Sequence, residues 1–305
     1  MPALPSQFRS RVRFDEPMSR HTSWHVGGPA QIYFTPTSRA ELAEFLASLP
    51  REVPVYWIGL GSNLLVRDGG IDGVVISAHG TLDRLELIGD DVVLAEAGVA
   101  CARIARQCLK WGLGSGEFFA GIPGTLGGAL AMNAGAFGGE TWRHVLEVDT
   151  VDRGGLGHTR AASEYGVGYR HVEPPEPQEW FVAARLRFSV RERTGDRAGS
   201  AAPEEPIRQL LERRKATQPI GEWSCGSVFT NPPGNHAARL IEAAGLKGLT
   251  VGGASVSTKH ANFIINHGSA SAADIERLIA RVQEEVYRSQ GVRLQPEVRI
   301  VGREA

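Results

Sequence analysis

Cysteine is scarce in this chain: 305 residues carry only Cys101, Cys108 and Cys225. Three thiols are too few for a disulfide framework, and neither CxxC nor CxxH spacing occurs for zinc, so a reducing compartment and a metal-free chain are expected. Charge of one sign is also missing. The 33 basic and 34 acidic side chains leave a net charge of −1, which provides no global field to draw in nucleic acid or an anionic membrane. Any anionic ligand must therefore be met by a local cluster. Nowhere do about eighteen apolar residues run together, so membrane insertion is not expected. Residues 1–14 carry Arg9, Arg11 and Arg13 and lack the apolar stretch of a secretory signal, which predicts a cytoplasmic protein. Internal repeats are absent, and low complexity is confined to residues 194–205.

Glycine, by contrast, is plentiful, and its 37 copies cluster instead of repeating with a period, as in a globular protein with many turns. Two clusters stand out. One is Gly59-Leu60-Gly61-Ser62-Asn63-Leu64-Leu65, and the other runs from Phe118 through Gly121-Ile122-Pro123-Gly124-Thr125-Leu126-Gly127-Gly128 to Asn133-Ala134-Gly135-Ala136. Without a Cβ the backbone can approach a ligand closely, and successive N–H groups in such turns form concavities for anions. The first loop has Leu64 where the dinucleotide fingerprint needs its third glycine, so a Rossmann unit is disfavoured. Two separated loops suggest instead a phosphate-bearing cofactor held from two sides, although glycine spacing alone does not say which.

The remaining pattern alternates strands and helices. Ser38 and Glu41 form a candidate capping box ahead of Leu42, Phe45, Leu46 and Leu49, predicting a helix that ends at Pro50. Strands are predicted at 53–57, 74–76, 91–97, 145–151 and 181–190, with a proline-rich loop at 172–178. Ile104, Ala105, Cys108 and Leu109 mark a second helix that stops at Gly112. Pro206 suits the start of a helix carrying Ile207, Leu210 and Leu211, with Arg208, Arg213, Arg214 and Lys215 elsewhere on it. A last helix begins at Ser271 with Asp274 completing a box.

The wording of these segments closely resembles one family. Gly61-Ser62-Asn63-Leu64-Leu65, Gly121-Ile122-Pro123-Gly124-Thr125 and Met132-Asn133-Ala134-Gly135-Ala136 are joined by Thr22 with Val26-Gly27-Gly28-Pro29-Ala30, by Gly168-Tyr169-Arg170, and by Gly226-Ser227-Val228-Phe229-Thr230-Asn231-Pro232. Further on come Ala238-Arg239-Leu240-Ile241, Gly245-Leu246-Lys247-Gly248, Lys259-His260-Ala261-Asn262-Phe263 and Pro296-Glu297-Val298. Together they resemble the UDP-N-acetylenolpyruvoylglucosamine reductases, over residues 20–300 and in order. Residues 170–227 are short, as in the compact type II subclass that lacks a substrate-covering tyrosine loop. His21 departs from the asparagine common there.

The resemblance implies an α+β fold: a two-subdomain FAD-binding module of the vanillyl-alcohol oxidase (PCMH) type, and a C-terminal α+β substrate domain. The boundaries would be 1–80 and 81–195 for the two subdomains, 196–205 for a linker and 206–305 for the substrate domain. It implies FAD and NADPH as cofactors and UDP-N-acetylglucosamine enolpyruvate as substrate, with NADPH sharing the substrate cleft; the sequence leaves the oligomeric state open, with a monomer the default expectation. Contacts to FAD would come from Gly59, Gly61, Ser62, Asn63, Leu64, Gly121, Ile122, Pro123, Gly124, Thr125, Gly128, Asn133, Ala134 and Gly135. Lys215, Asn231 and Lys259 would hold the substrate.

Ser227 would donate the proton to carbon, Arg170 would bind the substrate carboxylate, and Glu297 would add a hydrogen bond from a buried carboxyl. Read without the resemblance, Ser227 is a backbone-capping hydroxyl, Arg170 a surface cation and Glu297 an edge-strand charge. Cys225 as a nucleophile lacks an identifiable histidine partner. Two other readings stay open: an FAD oxidase or dehydrogenase of the same cofactor class acting on an alcohol or sugar, and a cofactor-retaining binding protein without turnover.

Overall fold

A computed structural model describes residues 5–191 and 205–305, so most of the expected linker, residues 196–204, lies outside the described residues. The described chain forms two compact units, each assembled from separate segments. The first contains residues 5–12, 34–59, 76–191 and 205–214, and the second 13–33, 60–75 and 215–305. Segments 13–33 and 60–75, placed with the first subdomain by the contiguous division above, thus gather around the C-terminal core. Trp24, Val26 and Leu65 are buried in that core, and the Trp24 indole donates to the Ile264 carbonyl at 2.8 Å.

The first unit is built on a five-stranded antiparallel sheet in the order Gly157–Ala161, Val145–Asp152, Glu179–Arg187, Val92–Glu96, Leu85–Ile88. Helix α1 (Arg39–Ser48) is capped by the Ser38 side chain, which accepts from the Glu41 N–H. The expected box is only half formed, because the Glu41 carboxylate turns to the Thr37 N–H and hydroxyl, at 2.6 Å each. Helix α2 (Cys101–Lys110) buries Cys101, Ile104, Ala105, Cys108 and Leu109, the stripe its sequence period predicts.

Helix α3 (Leu126–Ala131) lies inside the second glycine cluster, where no helix is predicted, since Gly127 and Gly128 each disfavour helix by about 1 kcal/mol relative to alanine. Packing overrides that preference. Leu126 and Leu130 are fully buried, and the Trp142 indole donates to the Leu130 carbonyl at 2.8 Å. Residues 205–214 of helix α4 (Glu205–Thr217) belong to this unit, and Ile207 lies in its core.

Two predicted boundaries shift. The strand expected over 181–190 breaks at Phe188, which is buried in the core, and Ser189–Val190 pairs separately with Leu113–Gly114. The loop expected from 172 begins at Pro174, because His171–Glu173 pairs with Gly166–Gly168.

In the second unit, strands Thr250–Val251, Ala254–Val256 and Ile264–Asn266 form an antiparallel sheet, and Leu64–Val66 runs parallel to Arg299–Val301. Helices α5 (Ala237–Ala243) and α6 (Ala272–Gln290) cover its core. Helix α6 begins with both halves of the predicted Ser271–Asp274 box and gains a second cap. The Asp68 carboxylate accepts from the N–H groups of Ala272 and Ala273 at 2.9 Å each, opposite the positive end of the helix dipole. Gly291, at φ +69°, ends the helix in the left-handed conformation that glycine adopts without penalty.

Candidate active site

In the first unit the glycine segments meet. A Cβ on Gly59 would lie 2.5 Å from the Thr125 hydroxyl oxygen, so residue 59 must be glycine for the two turns to approach. The following main chain is less open than its sequence suggests. The N–H groups of Ile122, Gly124, Leu126 and Gly127 donate to the carbonyls of Phe119, Ile122, Val99 and Ala97. Phosphate contacts in this segment must then come from its other groups. The buried Thr125 side chain and the open face at Gly128, where a Cβ would meet nothing within 4 Å, have the right chemistry and space.

Arg170 belongs to the same unit. It closes the hairpin between Gly166–Gly168 and His171–Glu173, and its guanidinium donates to the carbonyls of Asn133 (3.2 Å) and Gly135 (3.1 Å). The arginine, Asn133 and Gly135, far apart in sequence, are thereby brought together. Asn133 is buried, and its amide is engaged by protein groups: Nδ2 donates to the Gly168 carbonyl at 3.1 Å, and Oδ1 accepts from the Trp142 N–H at 3.1 Å. Ala134 is buried, its carbonyl accepting from the Thr141 N–H and hydroxyl.

The second unit holds Gly61–Leu64, Ser227 and Glu297. Gly61 sits at φ +63°, and a Cβ there would come 1.9 Å from the His21 carbonyl oxygen. His21 itself hydrogen-bonds the Glu16 carboxylate through Nε2 (2.8 Å) and the Tyr33 hydroxyl through Nδ1 (3.1 Å). Burial would raise the Glu16 carboxyl, but the hydrogen bonds from His21 and Arg13 outweigh it and hold the group below the usual carboxylate range. The sequence departure at position 21 is therefore a hydrogen-bonded site whose backbone carbonyl lies against Gly61.

Ser227 and Glu297 lie on adjoining backbone. The Val228 carbonyl accepts from the Glu297 N–H at 2.8 Å, and Phe229 bridges to Pro296. The Asn63 side chain donates to the Glu297 carbonyl at 3.0 Å, which ties the first glycine loop to the same segment. Both Ser227 and Glu297 are half-buried.

The sequence reading gave no role to Asn262. Its side chain accepts from the Phe229 N–H at 3.0 Å and donates to the Phe229 carbonyl at 2.8 Å, clamping the segment that carries Ser227. Burial pushes the neighbouring Cys225 thiol well up, and the Glu297 charge adds to the effect, so at neutral pH this thiol is protonated and a poor nucleophile.

The predicted substrate ligands occupy varied settings. Lys215 and Lys259 are exposed, and the Lys259 ammonium donates to the Lys215 carbonyl at 2.5 Å. Asn231 is exposed, but its Oδ1 accepts from the Ala237 N–H at the start of α5, leaving its NH2 group as the donor for a ligand. Among the described residues, no cluster of three or more His, Cys, Asp or Glu is placed to hold a metal ion, and no helix is long and apolar enough to cross a membrane.

In the first unit the close approach at Gly59 and the Thr125 hydroxyl suit a phosphate-bearing cofactor such as FAD, and in the second unit the left-handed Gly61 and the Ser62 hydroxyl offer the same chemistry. Comparison with known proteins agrees. The FAD binding domain family matches residues 30–159, and the family described as UDP-N-acetylenolpyruvoylglucosamine reductase, C-terminal domain, matches residues 218–301. A UDP-N-acetylenolpyruvoylglucosamine reductase from Alkalilimnicola ehrlichii is 58% identical, with 95% of each chain covered. Its namesake from Methylococcus capsulatus is 58% identical over 94% of this chain and 92% of its own. The crystal structure of the reductase from Thermus caldophilus superposes with a TM-score of 0.80 at 34% identity, covering 95% of this chain and 98% of that one. This α+β chain, with its FAD-binding module and C-terminal domain, belongs to the UDP-N-acetylenolpyruvoylglucosamine reductase family.

Proposed function

We propose that Ser227, Arg170 and Glu297 carry out the reduction characteristic of this family, in which UDP-N-acetylglucosamine enolpyruvate becomes UDP-N-acetylmuramate during peptidoglycan precursor synthesis. FAD, when bound, would supply the redox chemistry that links NADPH to the terminal carbon of the enolpyruvyl group. The chain's own residues manage the charge and the proton. Hydride addition leaves negative charge on the carbon beside the carboxylate, spread into that carboxylate as an enolate.

Arg170 meets the carboxylate with the planar, two-point geometry of a guanidinium and offsets this charge. The Ser227 hydroxyl gives its proton to the carbon and regains one from solvent. Serine is a weak acid, but the carbanionic centre is a strong base, so the transfer is downhill. Glu297, whose N–H bonds the carbonyl of Val228 next to Ser227, hydrogen-bonds the developing enolate when its carboxyl is in the protonated form. Lys215 takes the diphosphate, the Asn231 NH2 group the sugar, and Lys259 supports Lys215 through its carbonyl. Gly59, Gly61, Ser62, Asn63, Leu64 and the turn of residues 121–125 accommodate FAD. The reaction takes place in the cytoplasm.

The observation that best supports this reading is the Glu297 N–H bonded to the Val228 carbonyl, which seats the acid and the proton donor on neighbouring main chain. The test is Ser227→Ala followed through both half-reactions. Flavin reduction by NADPH should stay within about twofold, while reoxidation by the enolpyruvyl nucleotide should slow by about 10²- to 10⁴-fold, the range for lost general acid catalysis. Equal slowing of both halves would reject the assignment.

A further inference from the structure

Two non-glycine residues of the first unit, Asn133 (φ +47°) and Arg170 (φ +54°), occupy the left-handed region and hold each other. Each conformation costs about 1 to 3 kcal/mol and persists only where surrounding contacts over-determine it. Tyr169 and Arg170 are the two residues between the paired Gly168 and His171, and Arg170 takes the second position of the turn, where positive φ ordinarily calls for glycine.

The contacts that enforce this geometry converge on Asn133. Its carbonyl receives one terminal nitrogen of the guanidinium, and the Gly135 carbonyl receives the other, at 3.2 and 3.1 Å. Its side-chain NH2 group holds the Gly168 carbonyl at 3.1 Å, on the strand that delivers the arginine, and lies 3.4 Å from the Glu140 carboxylate. Its side-chain oxygen is anchored by the Trp142 N–H at 3.1 Å. One buried residue thus fixes both the root of the turn and the end of the side chain. Two carbonyls gripping two nitrogens set the plane of the guanidinium and its rotation about the Cδ–Nε axis, the property that matters for a planar carboxylate.

We propose that Asn133 is a positioning residue for Arg170, and that its side chain serves the arginine instead of the flavin. The functional half of this statement rests on Arg170 binding the substrate carboxylate, as set out above.

The test uses the holoenzyme and Asn133→Gly, which keeps the left-handed backbone and the carbonyl but removes the amide. Nitrogen-15 NMR of arginine side chains should show distinct, slowly exchanging terminal nitrogens for Arg170 in the parent and averaged ones in the variant. Reoxidation by the enolpyruvyl nucleotide should slow by about 10- to 100-fold, the scale for a misplaced positioning group, with flavin content and NADPH-driven reduction within about twofold. In an Arg170→Lys background the same substitution should add less than about twofold, because the two changes act on one element.

Retention of the distinct Arg170 nitrogens in Asn133→Gly would overturn the positioning claim whatever the rates. Loss of flavin, with both half-reactions falling together, would overturn it in favour of a cofactor ligand. Unchanged reoxidation in Arg170→Lys alone would remove the carboxylate-binding role, leaving the NMR comparison to decide the structural link. Should the glycine variant fail to fold, Asn133→Asp keeps the acceptor for Trp142 and loses the donor to Gly168, and the same spectral averaging is expected.

Discussion

Replacing Asn262 by alanine tests how firmly the proton donor is seated. The side chain makes two hydrogen bonds to one residue, accepting from the Phe229 N–H and donating to the Phe229 carbonyl. Phe229 is 2% exposed and Asn262 4%, so water does not readily replace the lost partners. A buried backbone group left unsatisfied costs about 1 to 3 kcal/mol, and two such groups cost about 2 to 5 kcal/mol after partial relaxation. With about 2 to 4 °C of melting temperature per kcal/mol for units of this size class, the midpoint should fall by about 4 to 20 °C. Asn262→Asp retains the acceptor and loses only the donor, so about half that shift is expected.

The functional arm follows from position. Phe229 lies two residues after Ser227, and a loosened segment should slow reoxidation by about tenfold while leaving NADPH-driven reduction near the parent rate. Calorimetric melting and stopped-flow absorbance measure the two arms. A midpoint shift below about 2 °C for Asn262→Ala would refute the clamp, as would equal shifts for the alanine and aspartate variants.

Gly61→Ala should abolish flavin retention, because the new methyl group would meet the His21 carbonyl in a backbone conformation that alanine resists; normal flavin absorbance in the purified variant would contradict this. The thiols should be inert in the folded protein. Burial pushes Cys101 and Cys108 up to about 12 and Cys225 well above its ordinary value, so a thiol reagent at pH 8 should label none of the three until denaturant is added. Rapid labelling of native protein would refute that expectation.

Stability should fall in acid. Burial would raise the carboxyls of Asp149 and Glu179, but hydrogen bonds from Arg185 and Arg39 to the first, and from Arg160 and Thr150 to the second, hold both below the ordinary range. A carboxyl depressed in the folded state stabilises above its unfolded value, about 4, and loses that contribution as pH drops through the folded value. The urea midpoint should therefore be level between pH 5 and 7 and decline below about pH 4; an equal midpoint at pH 3 and pH 6 would count against it.

What was legible in the sequence is what is enforced locally. Helix α6 shows its capping box, buried stripe and terminal glycine in one stretch of chain, and α2 shows its stripe likewise. The glycines at 59 and 61 signal close approach, although not to what: Gly59 faces Thr125 and Gly61 faces His21. The family's serine, arginine and glutamate could be numbered from their motifs. The grip of Asn133 on Arg170 could not, because its partners Gly168 and Trp142 are distant in the chain and a left-handed asparagine leaves no periodic signature. Helix α3 was hidden for the opposite reason, since two glycines speak against a helix that burial of Leu126 and Leu130 then imposes. At α1 the Ser38 cap is legible but the partner of Glu41 is not, because Thr37 offers both an N–H and a hydroxyl to its carboxylate.

The interleaving of segments in the second unit bears on how this enzyme can be recombined. Trp24 and Leu65 are emplaced among residues translated some two hundred positions later, and Leu64–Val66 finds its parallel neighbour only at Arg299–Val301. A crossover at residue 205, tidy on paper, would marry a foreign C-terminal third to native segments 13–33 and 60–75 and mismatch the core they share. Functional hybrids with relatives should arise when those three stretches are inherited together, and a growing polypeptide must hold the early two in waiting until the last strand leaves the ribosome.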